Sequence, residues 1–302
     1  MSKKTLATII GIIAFAIAAN AQTVTKFQEY SAFNTIDANH SFNISLRPSE
    51  EGNYVVEQTI DSILENYIKV YVKNNTLFID FDDKGYGKDK EAKAVYKGKN
   101  APKPVLNIVI KAPTYQTLKL RDDVVLDAMG TTLNTNEFTL EAGGNTKINN
   151  FSVETGNCKL VVTKNAVVNI NVKTGDLQIK TDKNAAVNLN ADAKNLDLDA
   201  EDNVVINYTG GATTATVDVK NSAKIVFSGN ANNLEFNGMD RADVDASKFP
   251  VKDATIKMKG SCKLSANVSS DLSMEMDGAN LVFSGNPDIK IVSLVKATVT
   301  HQ

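Results

Sequence analysis

From Leu118 onward, apolar and polar residues alternate in short runs such as Lys159-Leu160-Val161-Val162-Thr163 and Asn188-Leu189-Asn190. Alternation of period two belongs to a strand with one buried face, and no 3.6-residue helical period competes with it. The runs themselves recur. With Leu118, Leu140, Leu160, Ile179, Leu198, Val217, Phe236, Ile256 and Met274 as register marks, the steps are 22, 20, 19, 19, 19, 19, 20 and 18 residues. Two residues after the marks stand Leu120, Ala142, Val162, Thr181, Ala200, Val219, Gly238, Met258 and Met276. Eight after stand Leu126, Ile148, Val168, Val187, Ile206, Ile225, Val244 and Leu264. Six after, the residue is always small or β-branched: Val124, Thr146, Ala166, Ala185, Val204, Ala223, Ala242 and Cys262.

A segment of some 19 residues cannot bury its apolar face alone, but stacking each segment on its predecessor builds parallel sheets around one continuous core. The pattern therefore predicts an all-β fold, a single-stranded parallel β-helix or β-solenoid, over residues 116–302. Nine or ten coils at the parallel-strand spacing make a rod of roughly 45 Å. The stretch from Ile289 to Thr300 reads as its final coil. Five residues after the marks come Asp123, Asn145, Asn165, Asn184, Asn203, Ser222, Arg241 and Ser261. Asparagine there is expected to take the left-handed corner geometry and to form an amide ladder from coil to coil. Residues 22–115 hold strand-like runs at Phe42–Leu46, Tyr54–Gln58, Ile68–Val72, Leu77–Phe81 and Val105–Ile110 without the tight register, and are expected to form an irregular β region or cap.

Residues 1–21 have the form of a secretory leader. Lys3 and Lys4 precede an apolar run from Leu6 to Ala19, and Ala19-Asn20-Ala21 precedes a cut before Gln22. The run is too short to span a bilayer, and the junction has no cysteine to carry a lipid. Removing the two lysines takes the formal charge from -2 to -4 (31 basic against 35 acidic residues). So mild a balance argues against nucleic-acid binding.

Two cysteines, two histidines and no tryptophan leave few catalytic or metal-binding side chains. Cys158 and Cys262 lie in core columns five coils apart, about 24 Å, so no disulfide is expected. His40 and His301 are too far apart in the register to anchor a triad. Asp122, Asp123, Asp182, Asp202, Asp240 and Arg241 are the candidates for the converging carboxylates and base of a polysaccharide-active enzyme. They alternate with Lys164, Lys183 and Asn221, as a solvated corner of mixed sign would. Asp80-Phe81-Asp82-Asp83-Lys84-Gly85 opens like a calcium loop, yet Lys84 takes a ligand's place and no helix pattern flanks the run, even with Glu91 in the twelfth position. No catalytic residue, metal site or cofactor is expected. The remaining feature is 82–104, a basic stretch read as a long loop. Lys84, Tyr86, Lys88, Lys90, Lys93, Tyr96, Lys97 and Lys99 make it either a solubilising excursion or a contact surface for an acidic glycan or membrane.

Phe33–Ala38 followed by Phe42–Leu46, the strand Asn75–Ile79, and the small-residue corners Glu141-Ala142-Gly143-Gly144-Asn145 and Met276-Asp277-Gly278-Ala279-Asn280 resemble a secreted bacterial family. It is the auto-transporter adhesin head GIN domain family, DUF2807, and the resemblance runs over roughly residues 27–285. The family's Gly-Ala-Ser corner is echoed by Gly278-Ala279-Asn280 and Gly260-Ser261-Cys262. The resemblance implies a right-handed parallel β-helix, a Bacteroidetes-type source and an adhesive role, and it supplies no site residue. The expected function is thus non-enzymatic binding of a glycan or protein at the cell envelope, in the periplasm or on the surface. A polysaccharide lyase or hydrolase is the alternative.

Overall fold

The computed structural model describes residues 22–49 and 51–302; the predicted leader lies outside them. Its parallel strands pair Leu118 with Leu140, Leu140 with Leu160, and so on through Ile179, Leu198, Val217, Phe236, Ile256 and Met274 to Ile291. The marks read from the sequence are the stacking register of a β-solenoid, residue for residue. The marks, and the small residues six positions on, are buried throughout, so like side chains lie over one another around a single apolar axis. The irregular steps have a local cause. The register shifts between Ala246 and Pro250, where extra residues bring Phe249 inward. Its ring lies 6.0 Å from Tyr208 and 5.3 Å from Phe227, closing an aromatic cluster that an undistorted 19-residue coil would leave open.

The corner geometry differs from expectation by one residue. The left-handed backbone falls four positions after the marks, at Asp122, Gly144, Lys164, Lys183, Asp202, Asn221, Asp240, Gly260 and Gly278. Of the predicted asparagine column only Asn184 has positive φ. Asp, Asn and Gly are the residues that adopt this region at least cost, which leaves Lys164 and Lys183 to bear a penalty of about 1 kcal/mol each. The asparagines one place further on bond between coils only in part: Asn165 donates to Asn145 at 3.2 Å and Asn203 to Asn184 at 3.3 Å.

The continuous ladder is elsewhere, on the outer face nine residues after the marks. Asn169 donates to Asn149 at 3.2 Å, Asn188 to Asn169 at 2.7 Å and Asn207 to Asn188 at 2.8 Å. Asn188 is central to it, donating once and accepting once. Asn188→Ala should therefore lower stability by about 1–2 kcal/mol in urea unfolding, whereas Asn203→Ala, at the end of a broken row, should cost about half as much.

The sequence-predicted strands of the N-terminal region are present at Asn43–Pro48, Tyr54–Asp61, Ile68–Lys73, Thr76–Phe81 and Leu106–Ala112. Two coils built from them extend the solenoid. Ile36 stacks on Leu118 and Leu77 on Ile36, so the core column runs from Leu77 to Ile291, roughly 50 Å at 4.8 Å per coil. Chain order and spatial order part here: the coil carrying Thr35–Ala38 and Asn43–Pro48 lies between those carrying Thr76–Phe81 and Thr117–Leu120. Beyond the outermost coil the pairing turns antiparallel. Ile68–Lys73 lies on Thr76–Phe81, Tyr54–Asp61 on Leu106–Ala112, and Thr23–Tyr30 on Tyr54–Asp61.

The segment 82–104 is not a plain loop. It holds two short helices, α1 (Asp83–Lys88) and α2 (Lys90–Val95). Ala92 is fully buried, and Tyr86 and Tyr96 pack against the core. The Tyr96 hydroxyl donates to the buried carboxylate of Asp61 at 2.6 Å, and burial with that acceptor pushes the phenol's pKa up. This segment helps close the N-terminal end of the solenoid. Its few apolar residues did not signal this because helices of six residues are too short to show a period.

Candidate functional site

Each sequence-derived candidate has a definite place. Lys84, Lys88, Lys90, Lys93, Lys97 and Lys99 are exposed on or just after the two helices, while Tyr86 and Tyr96 are half-buried against the core. The calcium-like run does not converge on a point. Asp82 caps α1 by accepting from the Gly85 amide at 3.0 Å, and that bond together with Lys69 holds its carboxyl below the usual range. Asp89 caps α2 through Glu91 and Ala92 and accepts from the Tyr67 hydroxyl, which lowers it likewise. These carboxylates are used in capping helices. Among the described residues no group of three His, Cys, Asp or Glu side chains is placed to hold a metal.

The corner carboxylates are spread by the register. Asp122 and Asp202 occupy the same corner four coils apart, about 19 Å, with Gly144, Lys164 and Lys183 between them. Asp240 lies two coils beyond Asp202, and Arg241 points back to Ser222 at 3.4 Å. Asp182, in the coil next to that of Asp202, pairs with Lys183 at 3.6 Å, and Asp123 accepts from Asn145 at 2.8 Å. Cys158 and Cys262 are both free and buried. Burial pushes each thiol up to about 12, so neither carries an appreciable thiolate fraction near neutral pH. His40 stacks on Phe81 at 4.3 Å and His301 on Phe283 at 4.7 Å, at opposite ends of the rod.

The surface feature that sequence reasoning missed is a groove of about 630 Å³ over the outer face of the last coils. Its residues lie one and three positions after the marks, where strand alternation points side chains outward. One row is Asp199, Asp218, Asn237, Lys257 and Glu275; the other includes Lys220, Met239, Lys259 and Asp277. The groove spans the coils from Asp199 to Val295, five steps or about 24 Å. Met239, 45% exposed, gives it an apolar patch, and Gly238 and Met258 lie beneath. Among the described residues none of its three lysines is ion-paired. The available signal was an outward Met in a column otherwise polar at this end, with lysines set between carboxylates. An extended ligand lying in such a trough would meet three lysines spaced among four carboxylates, beside the apolar surface of Met239.

The sequence profile of the family described as "Putative auto-transporter adhesin, head GIN domain" matches residues 32–201 and 177–287. A crystal structure described as a putative adhesin from Parabacteroides distasonis is similar at 15% identity with a TM-score of 0.53, covering 93% of this chain and 98% of that one. A structure described as a putative adhesin from Parabacteroides merdae aligns at 16% identity over 93% and 96% of the two chains, with a TM-score of 0.42. A third, described as a putative lipid binding protein from Parabacteroides distasonis, aligns at 15% identity over the same shares with a TM-score of 0.45. No curated protein sequence matches the chain.

Proposed function

The chain belongs to the auto-transporter adhesin head GIN domain family, whose profile covers most of its length, and on that premise we propose that it is an exported, non-enzymatic binding protein of the bacterial cell envelope. The observation that carries this reading is the groove across successive coils, where Lys220, Lys257 and Lys259, without an ion pair among the described residues, stand beside Met239. A repeated shallow surface of this kind binds by many modest contacts along an extended glycan or protein segment. The spread of carboxylates along the corner supports binding over hydrolysis or elimination. In the same reading the outward lysines of α1 and α2 form a second cationic contact surface at the other end of the rod.

The test is a glycan array holding neutral, sulfated and uronic-acid polysaccharides, probed with the exported chain. Binding to an acidic class is expected, weakened about tenfold or more by Lys257→Glu with Lys259→Glu, because charge reversal in a complementary site opposes the ligand directly. Lys90→Glu with Lys93→Glu measures the share of the helical surface. Retained binding in the groove variant removes the groove from the account. Absence of binding, with release of unsaturated sugars from an acidic polysaccharide, overturns the proposal in favour of a lyase. Protease treatment of intact cells and of cells with a permeabilised outer membrane checks export, since a surface chain is cut in both, a periplasmic one only in the second, and a cytoplasmic one in neither.

A further inference from the structure

The two ends of the solenoid are finished differently. At the N-terminal end, antiparallel strands lie over the outermost coil, Leu64 and Ala92 are buried, and the strand Ile68–Lys73 carries Lys69 and Lys73, charges of the kind that keep sheet edges apart. At the C-terminal end, the strand Asp288–Val295 pairs only with Lys263–Asp277, and Thr298–His301 only with Asn280–Ser284. One whole edge of each is unpaired among the described residues. Ile289, Ile291 and Leu294 continue the core columns of Leu272, Met274 and Met276, yet they are 51%, 59% and 39% exposed, for no described residue stacks on their outer side. Val292 and Val295 add to the same apolar end.

The free N–H and C=O groups of such an edge are satisfied by another strand. A head-to-tail neighbour would offer the strand Ile68–Lys73, itself paired on one edge only, and Lys69 and Lys73 on that strand oppose the approach of another sheet edge. The remaining match is the same end of a second copy, related by a two-fold axis across the rod, which sets the two strands antiparallel. The charges agree with that direction. Asp288 opens the strand and Lys296 follows it, so an antiparallel copy brings acid toward lysine at both margins, where a parallel copy would set like against like. We infer that the chain self-associates end to end through Asp288–Val295, joining two solenoids into one longer rod with a continuous core. The dimer would place the two grooves in one line, although the inference stands on the open end and not on what the groove binds.

Light scattering after size exclusion of the exported chain reads this directly, and a dimer that dissociates on dilution is expected. Ile291→Lys with Leu294→Lys should weaken association about tenfold or more while leaving circular dichroism and the unfolding midpoint nearly unchanged, since both positions are already exposed. Asp288→Lys should weaken it as well, and adding Lys296→Asp should restore it. Val292→Cys, close to the proposed axis, should give a disulfide-linked dimer on mild oxidation. A monomer at high micromolar concentration overturns the inference, as does a dimer indifferent to the lysine pair or an open-ended polymer. Capture of a monomer on phosphatidylglycerol vesicles, abolished by the lysine pair, would assign this end to a membrane and overturn it too.

Discussion

Gly210→Ala is expected to cost several kcal/mol and to leave the chain largely unfolded or insoluble, while Gly211→Ala beside it changes stability by less than about 1 kcal/mol. Gly210 has φ of +137°, a region essentially closed to residues with a side chain, and a Cβ there would overlap the carbonyl of Ala191 in the coil below. Neither obstacle exists at Gly211. Its φ is ordinary, and the nearest atom to an added Cβ is the Asp192 carboxylate oxygen at 3.8 Å. The clash at Gly210 is with backbone, so no side chain can swing aside to relieve it. Urea unfolding of the two variants, followed by circular dichroism, separates them; equal midpoints would mean that the coils are not packed as closely as the register requires.

Leu198→Ala should destabilise by about 2–5 kcal/mol, because Leu198 is fully buried between Ile179 and Val217 and neighbouring coils cannot collapse into the void without leaving register. In a stacked array each coil is held by its two neighbours, so damage in the middle weakens two interfaces at once. Leu294→Ala at the open end removes the same atoms from a site that is 39% exposed on a single neighbour. Its cost in the monomer should stay below about 1 kcal/mol. The ratio of the two denaturation shifts, measured at a concentration where no association occurs, checks the asymmetry.

How legible the fold was depended on how regular the repeat was. From Leu118 to Met274, side chains at like positions meet the same surroundings in each coil, so composition in columns revealed burial, and every mark proved to be a stacking residue. The corner was misplaced by one residue because the eye follows the repeated asparagine. The backbone constraint sits instead on a mixed column of Asp, Gly, Lys and Asn that no single residue type announces. The N-terminal coils kept their strands but hid their order, since Ile36 and Leu77 join the column from a part of the chain that doubles back. The basic segment 82–104 looked like a loop because it holds only six apolar residues, and the contact that anchors one of them, Tyr96, is with Asp61, 35 residues away in sequence. The groove was least legible. Its residues are ordinary solvent-facing positions, and only the stacking of coils turns them into one surface.

The central claim is that like-numbered residues of successive segments lie directly above one another at a fixed spacing. Pulsed double-resonance distances between spin labels measure this in solution. Lys159 stacks through Gln178, Asp197 and Thr216 onto Glu235, then Thr255 and Ser273, all on the outer face. With Cys158 and Cys262 replaced by alanine, labels at 159 and 235, 159 and 255, and 159 and 273 span four, five and six coils. The account predicts backbone separations of about 19, 24 and 29 Å, rising by one strand spacing each time over a common label offset. Separations that do not grow by that constant step, as in a sandwich of antiparallel strands, would contradict it.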